Sequence, residues 1–166
     1  KVFDKIDNIE HYISHQIAGM LLSYLKSLQE NKSNSDVKNA VDDQEFVTLD
    51  EQTRKLADYD IMITDGTNNL CLGGIMGGLD SEVTNETKNI LLEAAVFDPA
   101  TIRKTATRLN LHSEASQRYE RGVDVNRTKL ALDYACYLFK ELCEAEIVNE
   151  PGFSGIKEIE DKEIKI

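Results

Sequence analysis

Residues 73–93 read GGIMGGLDSEVTNETKNILLE, and two features in them could do chemistry. Gly73, Gly74, Gly77 and Gly78 flank Ile75 and Met76. Glu93 is the single carboxylate in the apolar run NILLEAAVF that follows. Glycine is used where the backbone takes positive φ or must come close to another group. A carboxylate in an apolar strand is costly unless it has a partner. Together they predict a pocket with a bare backbone wall and one buried acceptor. The residues alone leave one alternative open for Glu93, an edge-strand or interface glutamate that merely reaches water. For the glycines, tight β-turn geometry and a pocket wall are compatible, and both are expected. A phosphate cradle is disfavoured, because no GK[ST] follows the glycines.

Other reactive residue types are sparse. Cys71, Cys136 and Cys143 are odd in number and contain no CxxC, so they read as buried small hydrophobes of a reducing cytosol. Cys136 and Cys143, seven apart on a predicted helix, share a face. His11 and His15 stand at i and i+4, a spacing that can hold a metal, but no third ligand is evident. No Ser-His-Asp set is evident, and no catalytic residue can be assigned.

The elements that must position these residues follow from periodicity. Ile6, Ile9, Ile13, Ile17, Met20, Leu21, Tyr24 and Leu28 recur at helical spacing, which predicts an amphipathic helix, or two shorter ones, over Asp7 to Leu28. Residues 30–36, ENKSNSD, read as a polar linker. Strands are predicted at Val37–Val41, Phe46–Leu49, Tyr59–Thr64, Leu70–Ile75 and Ile90–Phe97, with a hairpin turn at Asp65-Gly66-Thr67-Asn68. In the last strand Glu93 shares a face with Leu91, Ala95 and Phe97. Asp98-Pro99 reads as a helix start, an N-cap followed by proline at the first helical position, with the helix reaching about Leu109. Ser113 caps the next helix, Gly122 stops it, and Glu114 pairs with Arg118 at i, i+4. Asp124 caps a longer helix to about Glu144, with Leu130, Leu132, Tyr134, Ala135, Leu138 and Leu142 mostly on one side. Val148 and Ile156 to Ile166 read as terminal strands.

With 166 residues, 41% hydrophobic and 30% charged, the chain suits one soluble globular domain. Its net charge of −11 repels phosphates and disfavours strong nucleic-acid binding by this chain alone. The first apolar stretch is broken by His, Gln, Ser and Lys and cannot span a bilayer, and no signal peptide is evident. The absence of an initiator Met suggests an excised fragment.

The stretch from Gly73 to Asp124, GGIMGGLDSEVTNETKNILLEAAVFDPATIRKTATRLNLHSEASQRYERGVD, resembles the B3/B4 domain of the bacterial phenylalanyl-tRNA synthetase β subunit. Upstream, Glu45-Phe46-Val47-Thr48-Leu49-Asp50 is similar to that family's KFVTLDG segment. The resemblance covers about Val37 to Ile147 well and Lys1 to Glu30 poorly. It implies an α+β fold with a small β-barrel or mixed-sheet core and flanking helices. The chain is then one domain over 1–166: a divergent helical part at 1–30, a β-rich part at 37–97, a helical part at 98–145 and terminal strands at 146–166.

In that family the domain hydrolyses tyrosine wrongly esterified to the phenylalanine tRNA. The glutamate of LLEAA and a glycine N–H before VMGG recognise the tyrosine hydroxyl, and these fall on Glu93 and Gly74. Ser113 and Ala115 fall on small residues that wall the pocket, and Gly73 replaces a common Ala. Arg118, Glu120 and Arg121 read as a structural charge network. The polar half of the pocket departs from the pattern. In the best fit, Ile6 to Tyr24, Glu10 and His11 stand where the family has Thr-Asn, Met20 replaces a Pro, and Leu22 replaces the His. Those polar residues hold the ester end and the attacking water, and Leu22 can neither donate nor accept a hydrogen bond. The resemblance thus implies that tyrosine recognition is kept while the hydrolytic half is degenerate. Its parent would be a cytoplasmic α2β2 ligase using ATP and Mg²⁺, neither of which should bind in this domain. The implied partners are the 3′ end of the phenylalanine tRNA, transiently, and the other β-subunit domains and the α subunit, with no membrane. The alternative is a free-standing aminoacyl-tRNA or amino-acid binding, trans-editing module.

Overall fold

The computed structural model describes residues 36–147. The helix predicted before residue 30 and the terminal strands predicted at Val148 and beyond lie outside the described residues. Six strands come first: β1 Asp36–Asn39, β2 Glu45–Val47, β3 Thr53–Lys55, β4 Ile61–Thr64, β5 Asn69–Leu72 and β6 Met76–Gly77. A short 3-10 turn at Leu79–Ser81 precedes three helices, α1 Pro99–Leu109, α2 Glu114–Tyr119 and α3 Arg127–Cys143. The fold is α+β, as expected. The antiparallel sheet β1-β4-β5-β6 meets the β2-β3 hairpin at an isolated bridge between Thr48 and Gly78. Among the described residues the strands form open sheets and not a closed barrel, so the mixed-sheet form of the expectation holds.

β4 and β5 carry the core. Met62, Ile63 and Thr64 on β4 and Cys71 and Leu72 on β5 are all buried, so both faces of these central strands are covered. The turn between them is the predicted one. Asp65 Oδ1 accepts from Thr67 N at 2.8 Å and Asn68 N at 2.6 Å, and Gly66 supplies φ +91°. The Asn68 backbone bond is the main cause holding the Asp65 carboxyl below its usual range.

The strand predicted at Ile90–Phe97 is not formed: residues 90–97 join no ladder among the described residues. Apolar alternation selects faces, but a strand also needs a neighbour for its N–H and C=O groups. The faces do survive. Ala95 and Phe97 pack on the main core, while Leu92 packs against Ala135 and Leu138 of α3. β3 had no counterpart in the sequence reading.

The helix starts are local and follow the caps. Asp98 Oδ2 accepts from Thr101 N at 2.8 Å and Thr101 Oγ1 at 2.7 Å, Pro99 is the first helical residue, and α1 ends at Leu109 with Asn110 left-handed. α2 opens with a capping box between Ser113 and Ser116. It ends at Tyr119, and Gly122 then turns the chain at φ +88°. Asp124 does not cap α3. Its Oδ1 accepts from Asn126 N at 3.0 Å, and the helix starts at Arg127 with Asn126 as its N-cap. The buried face of α3 is Ala131, Ala135, Leu138 and Phe139, whereas Leu130 is 66% exposed and Leu142 38%. Apolar residues wrap more than half of this helix, so spacing alone does not choose the face. Two alanines on the buried side let the backbone approach closely.

Cys71 is buried, but Cys136 and Cys143 are only half-buried, and none of the three is in a disulfide. Burial, followed by the Asp133 charge, pushes the Cys136 thiol up.

α1 is tied to the sheet by polar groups far apart in sequence. Asp60 is fully buried and accepts from Thr105 Oγ1 at 2.6 Å, Ala57 N at 2.9 Å and the Arg108 guanidinium. Arg54 Nη1 donates to Leu109 O at 3.0 Å at the helix end.

Candidate functional site

The glycine-rich turn joins β5 to β6. Ile75 N donates to Leu72 O at 3.0 Å, closing a turn with Gly73 and Gly74 in the middle and Gly74 at φ +69°. Gly73 N donates to Ile61 O at 2.8 Å. The Gly74 N–H takes no part in the turn's backbone bonds among the described residues. One side of Gly74 is filled: a Cβ there would lie 2.8 Å from Phe97, 2.9 Å from Ile102 and 3.3 Å from Tyr119. Phe97 and Tyr119 meet edge to face with centroids 5.0 Å apart. These three residues, missed in the sequence reading as part of the site, press the turn from the helix side. The one available signal was that Phe97 shares the face of Glu93.

The other expected site residues fall as follows. Gly73 and Gly74 are buried in the turn, and Glu93 is half-buried in the irregular segment, with its Oε1 shielded from solvent. Ser113 is the N-cap of α2, and its Oγ donates to Ile75 O at 2.6 Å. Ala115 is partly buried and packs on the main core. The structure therefore brings Gly73, Gly74 and Ser113 together around one turn. Glu10, His11 and Leu22 lie outside the described residues. The expected charge network is wired differently. Arg118 pairs with Glu114 at 3.5 Å, as the i, i+4 spacing predicted, and Arg103 donates to the backbone carbonyl of Glu120 at 3.2 Å.

Among the described residues no three His, Cys, Asp or Glu side chains converge as a metal site. A separate polar groove is lined by Gln44 to Val47, Thr67 to Asn69, Gly78 and Asp80. A backbone N–H outside its own turn's bonds is a hydrogen-bond donor, which is the chemistry of recognition.

The B3/4 domain family profile matches residues 11–144. That match extends into the N-terminal segment where the resemblance read from sequence was poor. Similar curated proteins include the phenylalanine–tRNA ligase beta subunits of Staphylococcus haemolyticus, 46% identical over 119 residues, and Geobacter sulfurreducens, 43% identical over 139 residues. The aligned parts are 72% and 84% of this chain but 15% and 17% of those relatives. That of Staphylococcus epidermidis (strain ATCC 12228 / FDA PCI 1200) is 37% identical over 147 residues, 89% of this chain and 18% of the relative. The chain thus spans less than a fifth of the length of these curated relatives. No helix among the described residues is long and apolar enough to cross a membrane. With the family profile covering residues 11–144 of 166, the chain belongs to the B3/4 domain family.

Proposed function

We propose that this chain is the B3/4 domain of a phenylalanine–tRNA ligase beta subunit, and that its glycine turn recognises the tyrosyl group of a mischarged tRNA. The whole ligase would use ATP and Mg²⁺ and an α subunit, and this domain would meet the tRNA 3′ end only transiently. A pocket that hydrogen-bonds a hydroxyl accepts tyrosine and refuses phenylalanine, because its buried polar groups are otherwise left unpaired. The observation that carries the reading is the Gly74 N–H, held in a closed turn yet outside that turn's backbone bonds among the described residues. Glu93 supports it as the acceptor. Its Oε1 is shielded from solvent, and it shares alternation with Phe97, whose ring lies against Gly74.

The hydrolytic half is degenerate in this reading. Hydrolysis needs a water held near the ester carbonyl and a donor for the developing oxyanion. Losing one such contact typically costs about a hundredfold in rate. Leu22 supplies neither, and Glu10 and His11 replace the small polar pair of the family pattern.

Single-turnover deacylation of preformed Tyr-tRNA by the whole ligase tests this, beside the Leu22→His and Glu93→Ala variants. The expected result is slow wild-type turnover, faster turnover in Leu22→His, and lost tyrosyl binding in Glu93→Ala. A fast wild-type rate abolished by Glu93→Ala would overturn the degenerate reading and restore active proofreading.

A further inference from the structure

We infer that Ser113 is a positioning residue for tyrosyl recognition: its hydroxyl holds the turn that presents the Gly74 N–H. The specificity part of this inference rests on the function proposed above; the hold on the turn does not.

Gly74 is the most mobile residue type at the most exacting point of the turn, since glycine has the widest choice of φ and ψ. A donor that must discriminate a hydroxyl has to be held in place before the ligand arrives. The turn is fixed on both sides. On the incoming side Gly73 N donates to Ile61 O at 2.8 Å, a bond to β4. On the outgoing side Ile75 O accepts from Ser113 Oγ at 2.6 Å, a bond across 38 positions of sequence. The same hydroxyl accepts from Ser116 N at 3.0 Å, so Ser113 caps α2 and grips the turn at once. That double use orients the hydroxyl. Its one proton goes to Ile75 O because its lone pair already serves the cap. α2 in turn is anchored by the buried Ser116 and Tyr119, and Tyr119 lies against Gly74.

Aspartate separates the two duties. It is a good N-cap acceptor, but an ionised carboxylate cannot donate to a carbonyl. Ser113→Asp therefore keeps the cap and loses the grip, while Ser113→Thr keeps both. The probes are a non-hydrolysable, amide-linked tyrosyl adenosine and its phenylalanyl twin, bound to the full chain. Amide hydrogen exchange at Gly74 and Ile75 is followed in the same samples. In Ser113→Asp, exchange at these two amides is expected to rise. Preference for the tyrosyl probe should fall about tenfold, the worth of one well-placed hydrogen bond. Ser113→Thr should match wild type in both readouts. Unchanged exchange in Ser113→Asp would overturn the inference. So would faster exchange with an unchanged tyrosyl preference. A wild-type chain with no tyrosyl preference, but faster exchange in Ser113→Asp, would overturn the tyrosyl reading while upholding the grip on the turn.

Discussion

Gly66 and Gly74 both take positive φ, 91° and 69°, but they need glycine for different reasons. Around Gly66 a Cβ would meet nothing within 4 Å, so Gly66→Ala carries only backbone strain, about 1 kcal/mol. At Gly74 the same strain is joined by overlap with Phe97 at 2.8 Å and Ile102 at 2.9 Å, both in the packed core. Overpacking adds about 1–3 kcal/mol, so Gly74→Ala should cost about 3 kcal/mol in all. Urea unfolding of the two variants should separate them clearly, and equal midpoints would refute the packing argument. Asp60 is the other residue with a sharp expectation. It is fully buried and its charge partner is Arg108, whose side chain is about one-third exposed. Arg108→Ala leaves a buried carboxylate with only its neutral donors. Removing one partner of a fully buried pair costs roughly 3–5 kcal/mol, and the exposure of Arg108 reduces this to about 2 kcal/mol. Equilibrium unfolding measures that loss directly.

At the scale of the element, α1 shows how a local signal fixes a helix start and makes it pH-sensitive. Thr101, through its hydroxyl first and its backbone N–H second, holds the Asp98 carboxyl below its ordinary value of 3.8. A carboxylate whose folded pKa is lowered contributes stability that is complete above the unfolded pKa and is lost as pH falls through the folded value. Asp98→Asn keeps an N-cap acceptor but has no proton to exchange. The advantage of wild type over Asp98→Asn in urea should therefore shrink on acidification from neutral pH to about pH 3. A gap that widens in acid would show that the cap is not ionised. The α3 helix shows the opposite case. Its start, expected at Asp124, is set at Arg127 without a side-chain cap, and its buried face is chosen by what it packs against, Leu92 included.

For the molecule as a whole, the net charge of −11 sets the long-range behaviour. Phosphate binding depends on cations releasing counterions, and an excess of carboxylates opposes it. The full chain by itself is expected to bind tRNA more weakly than about 10 μM at physiological salt, within or below the range of non-specific contacts. Fluorescence anisotropy with labelled tRNA tests this. A tight, salt-sensitive complex would mean that the chain grips the tRNA body itself, against the transient contact proposed above.

Much of this was legible in sequence because it is local. Asp98-Pro99, the Ser113 cap, and Asp65 to Asn68 each fix backbone through groups within a few residues, so composition at fixed offsets is sufficient, although the return bond from Ser116 to Ser113 was not read. The glycine turn was legible only in part: the glycines marked a tight turn, but the strand expected through Ile75 ends at Leu72. The length of the GGIMGG to ERGVD pattern carried the family. What the sequence could not decide is whatever needs a partner from elsewhere in the chain. Residues 90–97 alternate like a strand, but none of the described strands pairs with them. The apolar residues of α3 allow several faces until Ala131 and Ala135 meet their neighbours. Asp60 finds Thr105 and Arg108 across 45 and 48 positions, and Ser113 finds Ile75 across 38. Periodicity reports which side of an element is apolar, but only the packed tertiary structure determines which donor reaches which acceptor.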